Sequence, residues 1–168
     1  MLRKTSFVIA GCVLWLAGWA MGSVIQVGSG SNTAGLVINF KDGGTCEFAV
    51  KFDGTVTGIG LLDIVQANTS LIVEKQVFGF GEFVDGFAFD GHANRGWGGG
   101  DDWWQYWTGD SGLVAWKASM IGASDRVVKD GQFDGWVYGR ATAPVVPEPA
   151  GLAIIFAAAC LLLRRTHA

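Results

Sequence analysis

Residues 57–69 read TGIGLLDIVQANT, and they break the pattern of the chain around them. Ile59, Leu62 and Val65 recur at intervals of three and fall on one helical face, and Thr57 stands where an N-cap belongs, so the spacing predicts a single short helix. The rest of the middle alternates with a period of two. Apolar-alternating runs bounded by Gly, Asp, Asn and Ser predict strands over residues 35–40, 47–52, 71–78, 82–89, 102–108, 113–120 and 133–138. The turns KDGGT from Lys41, FDGT from Phe52, TGDSG from Thr108 and KDGQ from Lys129 fall between them, and Asp-Gly favours the tight reversals that join antiparallel strands. FDGHANRGWGGGDD, from Phe89, is too long and glycine-rich for a hairpin turn and is expected to be a loop. The expected fold class is β-rich α+β, a small, mostly antiparallel sheet with one short helix.

Two apolar runs frame this domain and account for much of the 50% hydrophobic content of the 168 residues. The first follows Arg3 and Lys4 and runs over residues 7–21, a cationic n-region and then an apolar h-region. Gly18 and Ala20 permit cleavage after Ala20, while Ala20 and Gly22 permit it after Gly22; residues 1–22 therefore read as a signal peptide for the general secretion machinery. Ile9-Ala10-Gly11-Cys12 resembles a bacterial lipobox, but that choice would leave a long apolar run after the lipidated cysteine.

Residues 23–143 form the expected exported domain, enough for one core. Residues 23–146 hold eight Lys/Arg against fourteen Asp/Glu, a net charge of 8 − 14 = −6, and no basic patch is visible. Such a surface argues against nucleic acid as a partner, since neutralising phosphates needs clustered cations. Cys46 is the one cysteine of this domain, so no disulfide forms within it; inside TCEFAVKF it reads as a small buried hydrophobe.

The chain ends VVPEPAGLAIIFAAACLLLRRTHA. Residues 150–163 are apolar or small, about 21 Å of helix at about 1.5 Å per residue against roughly 30 Å of bilayer hydrocarbon. Arg164 and Arg165 then form a cationic stop that holds this end cytoplasmic. Prolines restrict the residue before them and lack an N–H, so Val146-Pro147-Glu148-Pro149 is expected to stand extended outside the helix with Glu148 as its charged handle. From Val146 to Arg165 the order and spacing closely resemble the PEP-CTERM sorting signal of exopolysaccharide-producing bacteria. The resemblance implies that residues 144–168 are recognised and cut near the Pro-Glu-Pro box by an exosortase. The precursor would then sit in the inner membrane through its terminal helix, and the product in the cell envelope or extracellular matrix.

A second resemblance covers about residues 37–139. The order of strand, Asp-Gly turn, short Leu-rich helix, GFGEFVDGF, WWQYW and GQFDGWVYG is similar to exported bacterial domains related to the C-terminal domain of transcobalamin. It implies a β-grasp-like arrangement with the helix packed on the sheet. Transcobalamin-type proteins enclose cobalamin between this domain and a helical barrel that has no counterpart in these residues, and fold does not fix function.

In DDWWQYW, strand alternation puts Trp103, Gln105 and Trp107 on one face and Trp104 and Tyr106 on the other. One reading makes one face core and covers the other with the glycine-rich loop or the helix. The other leaves Trp104 and Tyr106 accessible beside Asp101 and Asp102, an aromatic platform with acceptors suited to sugar rings. Asp85, Asp90, His92, Asn94, Asp101 and Asp102 gather within eighteen residues, yet as a calcium loop they fail: Arg95 stands where Gly is required and no Glu follows at the twelfth position. Zinc would want more His or Cys, so no metal site is assigned. His92 is the lone histidine before the tail and no Gly-x-Ser-x-Gly occurs, which disfavours hydrolytic catalysis.

The expectation is a non-enzymatic binding or structural module associated with exopolysaccharide. A small-ligand, cobalamin-type carrier and a carbohydrate-active enzyme stand as alternatives. A concave pocket lined by Trp103, Trp107 and Trp136 would favour a small ligand, and two carboxylates facing across a cleft would favour an enzyme.

Overall fold

Thr57 caps the helix as its position implies, its hydroxyl accepting from the Gly60 amide at 3.1 Å, and α1 runs over Gly58–Asn68. Ile59, Leu61, Leu62 and Val65 are buried along its inner face. At the far end the Asn68 side chain and the Thr69 hydroxyl donate to the Ile64 and Val65 carbonyls, which a helix end otherwise leaves unpaired. The computed structural model describes residues 23–110 and 115–146. The expected signal peptide at 1–22 and the sorting signal from Pro147 onward lie outside the described residues.

The strands are Ile25–Gly28 (β1), Asn32–Asn39 (β2), Thr45–Phe52 (β3), Val56–Thr57 (β4), Ile72–Phe78 (β5), Gly81–Phe89 (β6), His92–Arg95 (β7), Trp104–Gly109 (β8), Lys117–Ala118 (β9), Val127–Val128 (β10) and Phe133–Tyr138 (β11). They form a six-stranded sheet in the order β1-β3-β2-β11-β8-β9, a three-stranded sheet β5-β6-β7, and the short pair β10-β4. The domain is thus β-rich with one short helix, and its pairings are mostly antiparallel. Two are parallel, β1 with β3 and β11 with β2.

Strand alternation sorts the large sheet into two faces. Leu36, Ile38 and Phe40 from β2 and its end, Cys46, Phe48 and Val50 from β3, and Trp136 and Tyr138 from β11 face one core with α1 and with Val84 and Phe87 of β6. Val37 and Val137, on the opposite face of the same central strands, are also fully buried. Burial on both faces is what a parallel pair in a small sheet demands. The chain after β11 covers part of that second face: Asn39 holds both backbone groups of Val145, accepting from its amide at 2.7 Å and donating to its carbonyl at 3.1 Å.

Residues 89–95 depart from the expected loop. Phe89 pairs with His92 across Asp90-Gly91, whose φ values of 49° and 83° make a tight two-residue reversal, and β7 follows directly. Asp-Gly with both central φ positive is the pattern that matches the twist of the strands it joins. Only the run after Arg95 remains irregular.

Cys46 is buried, and burial together with the nearby Asp90 carboxylate pushes its thiol up to about 11, so it stays protonated and acts as an apolar packing group. Leu62→Ala should cost about 2–5 kcal/mol by opening a cavity under the helix, whereas the exposed Gln66→Ala should stay within about 0.5 kcal/mol. Urea unfolding of the two variants measures the difference.

Candidate functional site

The antiparallel register of β8 on β11 sets Trp104 opposite Tyr138 and Tyr106 opposite Trp136. All four rings therefore lie on the core face. Trp104 meets Phe87 edge-on at 4.7 Å between centroids and Tyr138 at 5.2 Å, and its indole N–H donates to the Asn94 carbonyl at 3.1 Å. Tyr106 stacks on Trp136 at 4.6 Å.

This placement corrects the accessible platform. Trp104 is only 4% exposed, and Tyr106 is turned to a buried partner. Alternation separated the two faces of DDWWQYW but could not say which points inward. That is decided by the neighbours in register, Trp136 and Tyr138 of β11. Asp101 and Asp102 part company with the rings: Asp101 is exposed in the turn before β8, its carbonyl accepting from the Trp103 amide at 2.8 Å, and Asp102 is ion-paired with Lys41.

At the Tyr106 hydroxyl lies a fully buried carboxylate, Asp134. Its Oδ1 accepts from Arg126 Nε at 2.8 Å and its Oδ2 from the Tyr106 hydroxyl at 2.5 Å. Burial pushes the Asp134 carboxyl up from the ordinary aspartate value, opposed by the Arg126 and Tyr106 hydrogen bonds. Burial, reinforced by that carboxylate, also pushes the Tyr106 hydroxyl up, so it remains a donor. Gly58 opens α1 directly against this pair, donating its amide to the Arg126 carbonyl at 3.0 Å; a Cβ there would lie 2.8 Å from Asp134 Oδ2, so a larger residue would have to displace the cluster.

Beside these rings the structure has a groove of ≈ 240 Å³, formed where β8 meets residues 82–84 of β6 and the segment 118–123. Trp103, Trp104, Tyr106, Trp107 and Trp136 all line it. The Nε1 of Trp136 is buried without an acceptor, and so are Nε2 of Gln105 and Nε1 of Trp107, both also groove residues. Strand alternation turns Gln105 and Trp107 to the face away from Tyr106 and Trp136, so on the ring side of the groove the unpaired donor is Trp136 Nε1, where buried donors are ordinarily paired. The sequence groups Trp103, Trp107 and Trp136 as the lining that would favour a small ligand, whereas Glu82 and Phe83 of β6, inside GFGEFVDGF, and Ser119 of the 118–123 segment carry no site signal of their own. A wider depression of ≈ 490 Å³ beside Ser29, Lys51, Asp53 and Asn68 has no such donors, and its Asp53 and Asn68 side chains are occupied by Ser31 and by the Ile64 carbonyl.

The acidic run around β7 disperses onto separate partners. Asp85 faces Arg95 at 3.7 Å, His92 Nδ1 bonds Asp42 at 2.8 Å, and Asn94 accepts from the Lys41 amide at 2.9 Å. The hydrogen bond from His92, with that from the Gly44 amide, holds the Asp42 carboxyl below the usual range. Among the described residues no three His, Cys, Asp or Glu side chains converge as metal ligands.

Trp104→Ala should cost about 3–5 kcal/mol, and Arg126→Ala a similar amount, about 3–5 kcal/mol, by stranding a buried carboxylate. Thermal melts at neutral pH check both. Comparison of the chain with protein-family models, with curated proteins and with solved structures found no match.

Proposed function

We propose that this chain is an exported, non-enzymatic binding module of the bacterial envelope or extracellular matrix, and that its aromatic groove holds a sugar unit of an exopolysaccharide. The groove carries the reading. Indole and phenol rings offer flat faces to the C–H side of a pyranose, and the unpaired Nε1–H of Trp136 calls for an acceptor oxygen of the kind that sugar hydroxyls supply. At ≈ 240 Å³ the groove falls below the roughly 300–1,000 Å³ of sites that enclose drug-sized molecules. One ring suits it better than a corrin macrocycle.

The domain reading rests on topology. β2 and β3 form a hairpin, α1 follows, and β11 returns parallel to β2 with β8 on its far side, an order that supports a β-grasp-like domain of the transcobalamin C-terminal type. Against a glycosidase, Glu82 is the one carboxylate lining the groove and it pairs with Lys75 at 3.0 Å, whereas hydrolysis needs two carboxyl groups across the bond. Delivery follows from the two ends: export on residues 1–22, then recognition of Val146-Pro147-Glu148-Pro149 by an exosortase while the apolar helix and Arg164-Arg165 hold the precursor in the inner membrane.

Trp103 lines the groove and is 43% exposed, whereas the exposed Trp97 lies outside it. Trp103→Ala should weaken retention on the native polysaccharide roughly two- to tenfold, the worth of one stacked ring. Trp97→Ala should bind like the parent. Equal retention of both variants in affinity electrophoresis would remove the groove from the proposal. For delivery, Glu148→Ala should leave uncleaved precursor in the inner membrane with the domain folded, read by mass spectrometry of membrane and envelope fractions. Normal processing would reduce the tail to a plain anchor.

A further inference from the structure

We propose that the tip of the β5–β6 hairpin, residues 76–81, inserts into the interface of a lipid bilayer. The tip reads QVFGFG and carries no charge. Phe78 pairs with Gly81 across the two-residue loop Gly79-Phe80. Val77 is 78% exposed, Phe78 43% and Phe80 80%, and the Phe78 and Phe80 rings stack in parallel planes 5.3 Å apart. Apolar exposure concentrated in this way marks an interaction surface.

The shape of the exposure chooses the partner. Val77 and Phe78 are adjacent in a strand and so point to opposite faces, with Phe80 at the apex. A docking protein or a second copy of this chain covers one face of a hairpin. A bilayer surrounds the tip and covers both faces and the apex together. Charge marks the depth. The first charged residues on either arm, Lys75 and Glu82, pair with each other at 3.0 Å and close the uncharged tip. About three residues at about 3.3 Å each separate that pair from the apex, some 10 Å, which matches the roughly 5–10 Å to which interfacial elements bury their apolar side. Because the domain is acidic and the tip uncharged, attachment here draws on apolar burial and needs no anionic lipid. The inference does not depend on what the groove holds.

The test uses the full-length chain reconstituted in phosphatidylcholine vesicles containing doxyl-labelled lipid, with Cys12 and Cys160 replaced by alanine; Cys46 is buried and stays unlabelled. An environment-sensitive fluorophore is attached through Gly79→Cys, a position with open space around it, or through the exposed Thr55→Cys as the reference. Both proteins share the same chain ends, so whatever those ends do is common to them. Doxyl quenching at residue 79 is expected to exceed that at residue 55 by about twofold or more, and to fall to the residue-55 level when Phe78→Ser and Phe80→Ser are added, with the thermal melt unchanged. Equal quenching at the two positions overturns the proposal, as does quenching that survives the double substitution. A chain whose residue-79 signal follows protein concentration and not lipid would assign the tip to self-association and overturn it as well.

Discussion

Asp134 is the point on which the domain turns. Its carboxylate is completely buried and is held by Arg126 from the segment before β10 and by Tyr106 from β8, while Gly58 brings the start of α1 against the same oxygens. One residue of β11 therefore joins the sheet, the helix and the 122–128 segment. A buried charge of this kind adds little net stability over an apolar substitute, but an arrangement that left it unpaired would be several kcal/mol worse. The cluster thereby penalises other registers of β11 between β2 and β8. In the observed register Trp136 and Tyr138 lie beside Tyr106 and Trp104, and the aromatic side of the core follows from it.

The groove is a consequence of that placement. Tyr106 and Trp136 stack face to face, the Trp136 Nε1 is buried without an acceptor, and β6 and the 118–123 segment line the same groove. Leaving a donor unpaired in the interior costs free energy, and native structures tolerate that most readily where something else supplies the partner. The exposed β5–β6 tip carries the opposite anomaly, apolar rings left in water. Core packing by itself explains neither the unpaired donor nor the exposed rings at the tip.

Local chemistry made a good part of this fold legible. The period of residues 57–69 and the Thr57 cap located the helix, and alternation located β2, β3, β5, β6, β8 and β11 to within a few residues, since side-chain period and capping act over neighbours in the chain. The predicted strand at 113–120 survives among the described residues only as Lys117–Ala118. β1, β4, β7 and β10 were missed because they are short and owe their form to their partners; Asp90-Gly91 alone carried a local signal for β7, one that the surrounding glycines masked.

What the sequence by itself determined is therefore the kind and position of each major element, the acidity of the domain, and the apolar composition of the two ends, all of which depend on residues close together in the chain. Tertiary structure decided the rest. The inward face of Trp104 and Tyr106 depends on β11, which lies more than twenty residues away, and on the parallel insertion of that strand beside β2. The partner of Asp102 is Lys41, just beyond the end of β2 and 61 residues away in the chain. The groove joins three segments that share no motif. Alternation in a strand specifies two faces and leaves their assignment open, and only the partners across the sheet can settle which one meets the core.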